Sequence, residues 1–364
     1  MKQVTAAFDL GRIIDIPPFS LARPEKDALH ADVLYELTKH HYRNCPQYRK
    51  ILDILGFDPS IKANTGNIPP LPVRLFKDYE LLSVDKSQII KAMTSSGTTG
   101  QGVSKIFLDR ITSTNQTKVL MKIVSSFTGA KRLPMLVIDT KAVIKDRRLL
   151  SARGAGILGF SMLGYDVTYA LDEDMRPDFG TVEAFCRKHK DDQILIFGFT
   201  FMIWEHFYKE LAKSGKQLAL EHGILIHGGG WKKLSDEAVD NHTFKREVER
   251  VCGIKRVYNY YGMVEQTGSI FVECEAGYLH SSIFSDLRVL RTDFSACGLY
   301  ETGVVELSSL LPFSYPGHVI LSEDTGEIMG VDDCACGRLG KYFKIHGRIM
   351  DAEIRGCSDT YESI

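Results

Sequence analysis

Apolar positions along the chain fall first at helical spacing and later in short uninterrupted runs. Between residues 25 and 57, Leu29, Val33, Leu34 and Leu37 recur three to four residues apart, and N-C-P-Q-Y-R-K-I-L-D-I-L-G continues the pattern. This spacing predicts helix. From Ile68 the segment I-P-P-L-P-V-R-L-F-K predicts extended chain, because its three prolines lack the N–H that a helix interior uses. Buried strands are predicted at 134–139, 193–197 and 223–226, and helices at 201–212 and 236–252. Beyond about residue 280 the pattern changes to short strands with turn signals, at 287–290, 303–307, 319–321 and 342–345. The fold class expected is α/β, with layered sub-lobes on a mostly parallel sheet and a small β-rich lobe. No internal repeat and no low-complexity tract interrupts it.

At 364 residues the chain is long for one compact core, so sub-lobes or two domains are expected. A formal net charge of −1 gives no attraction for a polyanion, which removes nucleic acid as the main ligand. Asp9, Arg12 and Asp15 interrupt the apolar residues of the N-terminus, so no secretory leader is read there. No run approaches the length needed for a membrane-spanning helix. A cytoplasmic location is therefore expected. Its eight cysteines are then read as ligands, nucleophiles or core residues.

The first chemistry-bearing segment is T-S-S-G-T-T-G, residues 94–100, between two strand-like stretches. Glycines at 97, 100 and 102 allow positive φ and close backbone approach. Thr94, Ser95, Ser96, Thr98 and Thr99 offer hydroxyl donors, backbone N–H groups can form an anion nest, and Lys105 follows downstream. It is no Walker A loop, since the G-K-[ST] ending is absent. A hairpin tip that binds phosphate is the reading adopted; a plain flexible tip is the alternative.

A second segment, Y-N-Y-Y-G-M-V-E-Q-T-G at 258–268, makes the pattern specific. With the loop it resembles the adenylate-forming superfamily of acyl-CoA ligases, adenylation domains and luciferase, whose motif is Y-G-x-T-E. The resemblance implies ATP as substrate and a catalytic Glu265 holding Mg²⁺ against the phosphates, with Tyr261 and Gly262 lining the adenine pocket. Val264 stands where the family has threonine, and Thr267 is the nearby hydroxyl able to take its place. His227, Gly228, Gly229 and Gly230 of H-G-G-G-W are similar to the family's adenine-side loop. Asp324 in L-S-E-D-T-G corresponds to the ribose-binding aspartate, and Arg348 in K-I-H-G-R matches the hinge arginine, reaching ribose or phosphate.

Superfamily members carry a further mobile domain with a catalytic lysine after that hinge, whereas this chain continues only to Ile364. The reading is a large domain over 1–325, a hinge and cysteine-bearing end over 326–364, and no mobile C-terminal domain. With E-I-R-G-C-S-D-T-Y at the end, H-Y-R-N-C-P-Q-Y and the prolyl segment upstream, the chain resembles acyl-protein synthetases of the LuxE type. That implies a fatty-acid substrate, capture of the acyl group on catalytic Cys357, and an acyl reductase as partner. An acid–CoA or acid–carrier ligase working with a separate C-terminal domain is the alternative, and a non-catalytic nucleotide-binding subunit lies outside both. Phe197 to Tyr208, F-G-F-T-F-M-I-W-E-H-F-Y, is either an acyl-pocket wall, admitting fatty or aromatic acids, or a core stripe.

Cys274 and His280 form C-x5-H, and Cys334 and Cys336 form C-x-C-G-R. Two such pairs can close a tetrahedral structural Zn²⁺ site, and the pattern is similar to that of the phenylacetate-CoA ligase branch.

Overall fold

The computed structural model describes residues 10–62, 65–95, 103–145, 149–231 and 237–349. Two compact units emerge, one of residues 1–94, 102–123 and 262–353, the other of 95–101, 124–261 and 354–364.

In the first unit the apolar spacing near the N-terminus forms two helices, Arg23–Asn44 and Pro46–Ile54, where one helical stretch was expected. Cys45 is extended between them, and Pro46 opens the second helix, where its missing N–H costs nothing. Leu34 and Leu37 pack on Ile68, Leu310 and Val319. Burying each of these two leucines stabilises the unit by about 2 kcal/mol. The prolyl segment is extended only at Leu71–Pro72, which pairs parallel with Ile320 and Leu321. It then turns into a helical turn, Leu75–Asp78. The expectation of extended chain throughout fails because the prolines end at Pro72, and a turn drives Phe76 into the core.

Six strands of this unit lie in the order Ser285–Leu290, Gly303–Ser309, Val319–Val331, Lys341–Arg348, Leu279–His280 and Phe271–Glu273, each antiparallel to its neighbour. The strand expected at 319–321 runs on for 13 residues to Val331. Its polar S-E-D-T-G stretch is strand, not turn, because Asp324, Thr325 and Gly326 pair with Lys341–Arg348, and register shifts at Thr325/Gly326 and Ile328/Gly330 accommodate the glycines. Both sides of the 325/326 division thus lie within one strand. Ile89–Thr94 and Lys105–Asp109 form the predicted antiparallel hairpin. Helix Arg110–Thr128 follows at once, its start fixed by Asp109 Oδ1 accepting from the Thr112 N–H at 2.8 Å.

The second unit contains five parallel strands in the order Arg256–Tyr261, Gly223–Gly228, Ile194–Phe199, Leu133–Thr140 and Gly164–Leu171. Winding reverses between Leu133–Thr140 and Ile194–Phe199, a position whose carboxyl side is the usual ligand crevice of such sheets. Buried Leu136, Ile196 and Leu225 from the strands meet Phe244, Val248 and Val251 of helix Asn241–Cys252. That helix starts later than the predicted 236, at a cap where Asp240 accepts from the Thr243 N–H at 2.8 Å. Gly253 ends it in the left-handed region, φ 71°. At the end of strand Leu133–Thr140, Asp139 and Arg153 are a buried bidentate pair, Arg153 Nε donating to Asp139 Oδ2 at 2.6 Å. Among the described residues no helix is long and apolar enough to cross a membrane.

Candidate active site and metal centre

The first unit holds the hairpin, a buried glutamate and a pair of strand-end residues. Thr94 and Lys105 are register partners, so the phosphate-loop sequence connects adjacent strand ends. Ser95 is the last residue described before it, and Ser96, Gly97, Thr98, Thr99 and Gly100 lie outside the described residues.

Glu265 occupies the middle of a single 3-10 turn, Val264–Gln266, and is only 3% exposed. Val264 fills a core position, so no hydroxyl is presented there. Thr267 Oγ1 donates its proton to the Val264 carbonyl at 2.8 Å. Gln266 Nε2 donates to the carbonyls of Leu307 at 3.2 Å and Gly317 at 3.0 Å, locking the turn onto the neighbouring strand end. Gly268 is at φ +94°, and a Cβ there would lie 2.6 Å from the Gln116 carbonyl. Only glycine lets the turn press on helix Arg110–Thr128 in this way.

Asp324 and Arg348 are direct register partners on neighbouring antiparallel strands. The sequence placed them in separate motifs, and strand pairing brings them opposite one another. Gly347, the glycine of the G-R pair, sits at φ +130°, and its carbonyl accepts from Thr325 Oγ1 at 3.2 Å.

In the second unit His227 and Gly228 end strand Gly223–Gly228 at the carboxyl side of the parallel sheet. His227 is buried, with Nδ1 3.0 Å from Thr200 Oγ1, and that hydroxyl also reaches the Gly228 carbonyl at 3.1 Å. Desolvation, then the charge of Lys245, lowers the His227 pKa to about 3, so the imidazole is neutral at physiological pH. A Cβ on Gly228 would meet the Tyr260 ring at 2.5 Å. Gly229 adopts φ +80°, and Gly230 has free space around its Cα. Tyr261 ends the neighbouring strand Arg256–Tyr261, half-buried, and half-buried Gly262 follows it in the chain.

The aromatic segment divides its side chains between two places. Phe197 stacks on Phe160 at 4.1 Å and lies near Tyr260. The π-helical turn Ile203–Tyr208 then stacks Trp204 on Tyr208 at 4.4 Å, beside Phe244 and Trp231. Those latter rings are core.

Cys274, His280, Cys334 and Cys336 converge, with their ligand atoms all within 4.8 Å of one another. Cys274 Sγ is 3.9 Å from Cys334 Sγ, and Cys336 Sγ is 3.4 Å from His280 Nε2. A tetrahedral ion with Zn–S near 2.3 Å and Zn–N near 2.0 Å sets these edges at about 3.8 and 3.5 Å. Burial, then Arg338, lowers the His280 pKa to about 4 and keeps its lone pair available. Burial pushes the Cys274 thiol up to about 12, so a bare thiolate there is costly and a cation would offset that cost. The four side chains fit a closed Cys₃His zinc site. Cys357 lies outside the described residues.

Thr200, Gln266, Gln116 and Tyr315 were not singled out from sequence. Only S-Y-P-G-H, with its aromatic residue and turn pair, carried any signal for the last of them.

Three comparisons bear on this arrangement. The family described as acyl-protein synthetase, LuxE, matches residues 2–363. A long-chain-fatty-acid–luciferin-component ligase of Photorhabdus luminescens is 28% identical over 100 residues, covering 27% of this chain and 85% of that protein. A phenylacetate-coenzyme A ligase of Thermus thermophilus is 24% identical over 341 residues, covering 88% of this chain and 69% of the relative. An open conformation of 2-hydroxyisobutyryl-CoA ligase, solved with 2-HIB-AMP and CoA, superposes with TM-score 0.71 at 15% identity, covering 92% of this chain and 77% of that one. At that identity the likeness establishes the fold, that of the adenylate-forming ligases.

Proposed function

The chain belongs to the acyl-protein synthetase (LuxE) family and is an adenylate-forming ligase; from that premise we propose that its acid is a fatty acid and that the acyl group is captured on Cys357 and handed to an acyl reductase. In the first step a carboxylate oxygen attacks the α-phosphorus of ATP, the bond to the bridging oxygen breaks, and pyrophosphate leaves with the electron pair. In the second the Cys357 thiolate attacks the acyl carbon, the carbon–oxygen bond breaks, and AMP leaves. AMP is a good leaving group, so partial ionisation of a cysteine suffices.

The residues divide the work. Backbone N–H groups and hydroxyls of Thr94 to Gly100 bind phosphate oxygens. Glu265 offers a hard carboxylate oxygen to Mg²⁺, which when bound offsets phosphate charge and stabilises the departing pyrophosphate. Asp324 accepts from ribose hydroxyls, and its register partner Arg348 donates to ribose or the α-phosphate. Tyr261, Gly262 and the His227 to Gly230 segment bound the adenine. The cytoplasm, where thiols stay reduced, suits the chemistry.

The observation that carries this reading is the family match through residue 363, which takes in the loop, Glu265, Arg348 and Cys357 together. An acid–CoA ligase is the second reading, favoured by the match to the Thermus enzyme across 88% of this chain. Incubation with ATP, Mg²⁺ and labelled fatty acid, with and without CoA, separates them. Label that becomes stably bound to the protein and is released by hydroxylamine supports the thioester. Label that appears only on CoA overturns it.

Cys274, His280, Cys334 and Cys336 are proposed to hold one structural Zn²⁺. Plasma emission analysis of the purified protein should find about one zinc per chain, and Cys334→Ser should reduce it severalfold. Less than a few tenths of a zinc per chain would sink the assignment.

A further inference from the structure

We infer that Tyr315 is a positioning residue for Glu265, holding the turn that carries this carboxylate in register with the base of the phosphate-loop hairpin. The inference rests on the reading of Glu265 as the Mg²⁺ ligand.

Tyr315 is fully buried, and its hydroxyl donates to the main-chain carbonyl of Glu265 at 2.9 Å. The same oxygen accepts from Gln116 Nε2 at 3.3 Å, which fixes the direction of the phenolic proton. Its ring meets Phe76 edge to face at 6.1 Å.

The neighbours of Tyr315 tie the other end down. Ser314 Oγ donates to the Phe107 carbonyl at 2.7 Å, on hairpin strand Lys105–Asp109. The Ser314 N–H donates to Thr112 Oγ1 at 3.1 Å, in the first turn of the following helix. On the far side, the Gly317 carbonyl accepts from Gln266 Nε2, and a Cβ on Gly317 would lie 2.8 Å from the Glu265 carbonyl. Residues 314–317 therefore form a strut. One end grips the strand leading out of the phosphate loop, and the other grips both Glu265 and the residue after it.

A buried tyrosine with a satisfied hydroxyl is commonplace in a core. Here the accepting group is the carbonyl of the ligand residue itself, and the turn around it is a single 3-10 turn without helical neighbours. Freeing that carbonyl loosens the turn that carries the carboxylate, and the cost appears in metal affinity. Partners standing behind a metal ligand commonly change that affinity about 10- to 100-fold.

The test is a Mg²⁺ titration of fatty-acid-dependent ATP–pyrophosphate exchange with the full chain. Tyr315→Phe keeps the ring and removes the donor. We expect the half-saturating Mg²⁺ concentration to rise about tenfold, with at least half the wild-type rate restored at saturating Mg²⁺. A merely structural role would lower the rate without rescue by Mg²⁺, and that result, or a Mg²⁺ requirement within about twofold of wild type, overturns the inference. If Tyr315→Phe does not fold, Gln116→Met removes the orienting amide instead and is judged by the same two outcomes. Glu265→Gln separates the premises. If it leaves the Mg²⁺ requirement unchanged, Glu265 is not the ligand and both readings fall. If it shifts the requirement while Tyr315→Phe does not, only the strut falls.

Discussion

Cys357→Ser is expected to abolish stable acyl labelling of the protein, a loss of at least about 100-fold, while ATP–pyrophosphate exchange stays within about twofold of wild type. The two steps use different groups, so removing the acceptor should stall the pathway at the adenylate. Serine keeps the shape, but its hydroxyl ionises far less readily than a thiol. The other cysteines are poor substitutes. Burial pushes the thiols of Cys186 and Cys252 up to about 11 and about 12, and Cys45 is buried as well. Cys274, Cys334 and Cys336 converge with His280 in the proposed Zn²⁺ site. Cys297 is half-buried, with a thiol raised by burial and by the charge of Glu301. Gel fluorography after labelling checks the result, with Cys297→Ser as control. Full labelling of Cys357→Ser would place the thioester elsewhere.

Glu265→Gln should lower the exchange rate itself by roughly 100- to 1000-fold at moderate Mg²⁺. The substitution preserves volume in a site that is 3% exposed and leaves the main-chain bond from Tyr315 and the side-chain bonds of Gln266 in place. Thermal stability should therefore change little, and the loss is assigned to the missing negative oxygen ligand. Raising Mg²⁺ should recover part of the rate. Exchange within about threefold of wild type, in a folded variant, would remove Glu265 from the metal's coordination.

Local signals in the sequence were read more accurately than those that depend on strand pairing. The hairpin around the loop was legible because apolar runs flank a Ser/Gly-rich tip, and Thr94 and Lys105 do pair. The strands at 194–199 and 223–228 were legible because every residue in them is buried. The extension of Val319–Val331 was not, since half-buried Glu323, Asp324 and Thr325 look like turn residues when their partners are unknown. The two Cys/His pairs were visible singly. Their meeting depends on pairing His280 opposite Tyr342, which carries the 334–336 turn to the 274–280 hairpin. The aromatic run was ambiguous between pocket and core until the π-helical turn set Trp204 against Phe244. For Tyr315 the S-Y-P-G-H turn signal gave no hint of its partner, a carbonyl 50 residues away in sequence.

Every later step of this chemistry requires that the protein make an acyl-adenylate. The direct measurement is exchange of labelled pyrophosphate into ATP, with Mg²⁺ present and fatty acid supplied or withheld, in the full chain without CoA. The prediction is exchange that depends on the fatty acid and persists in Cys357→Ser. No exchange above the acid-free background, in folded protein across fatty acids of several chain lengths, would contradict it.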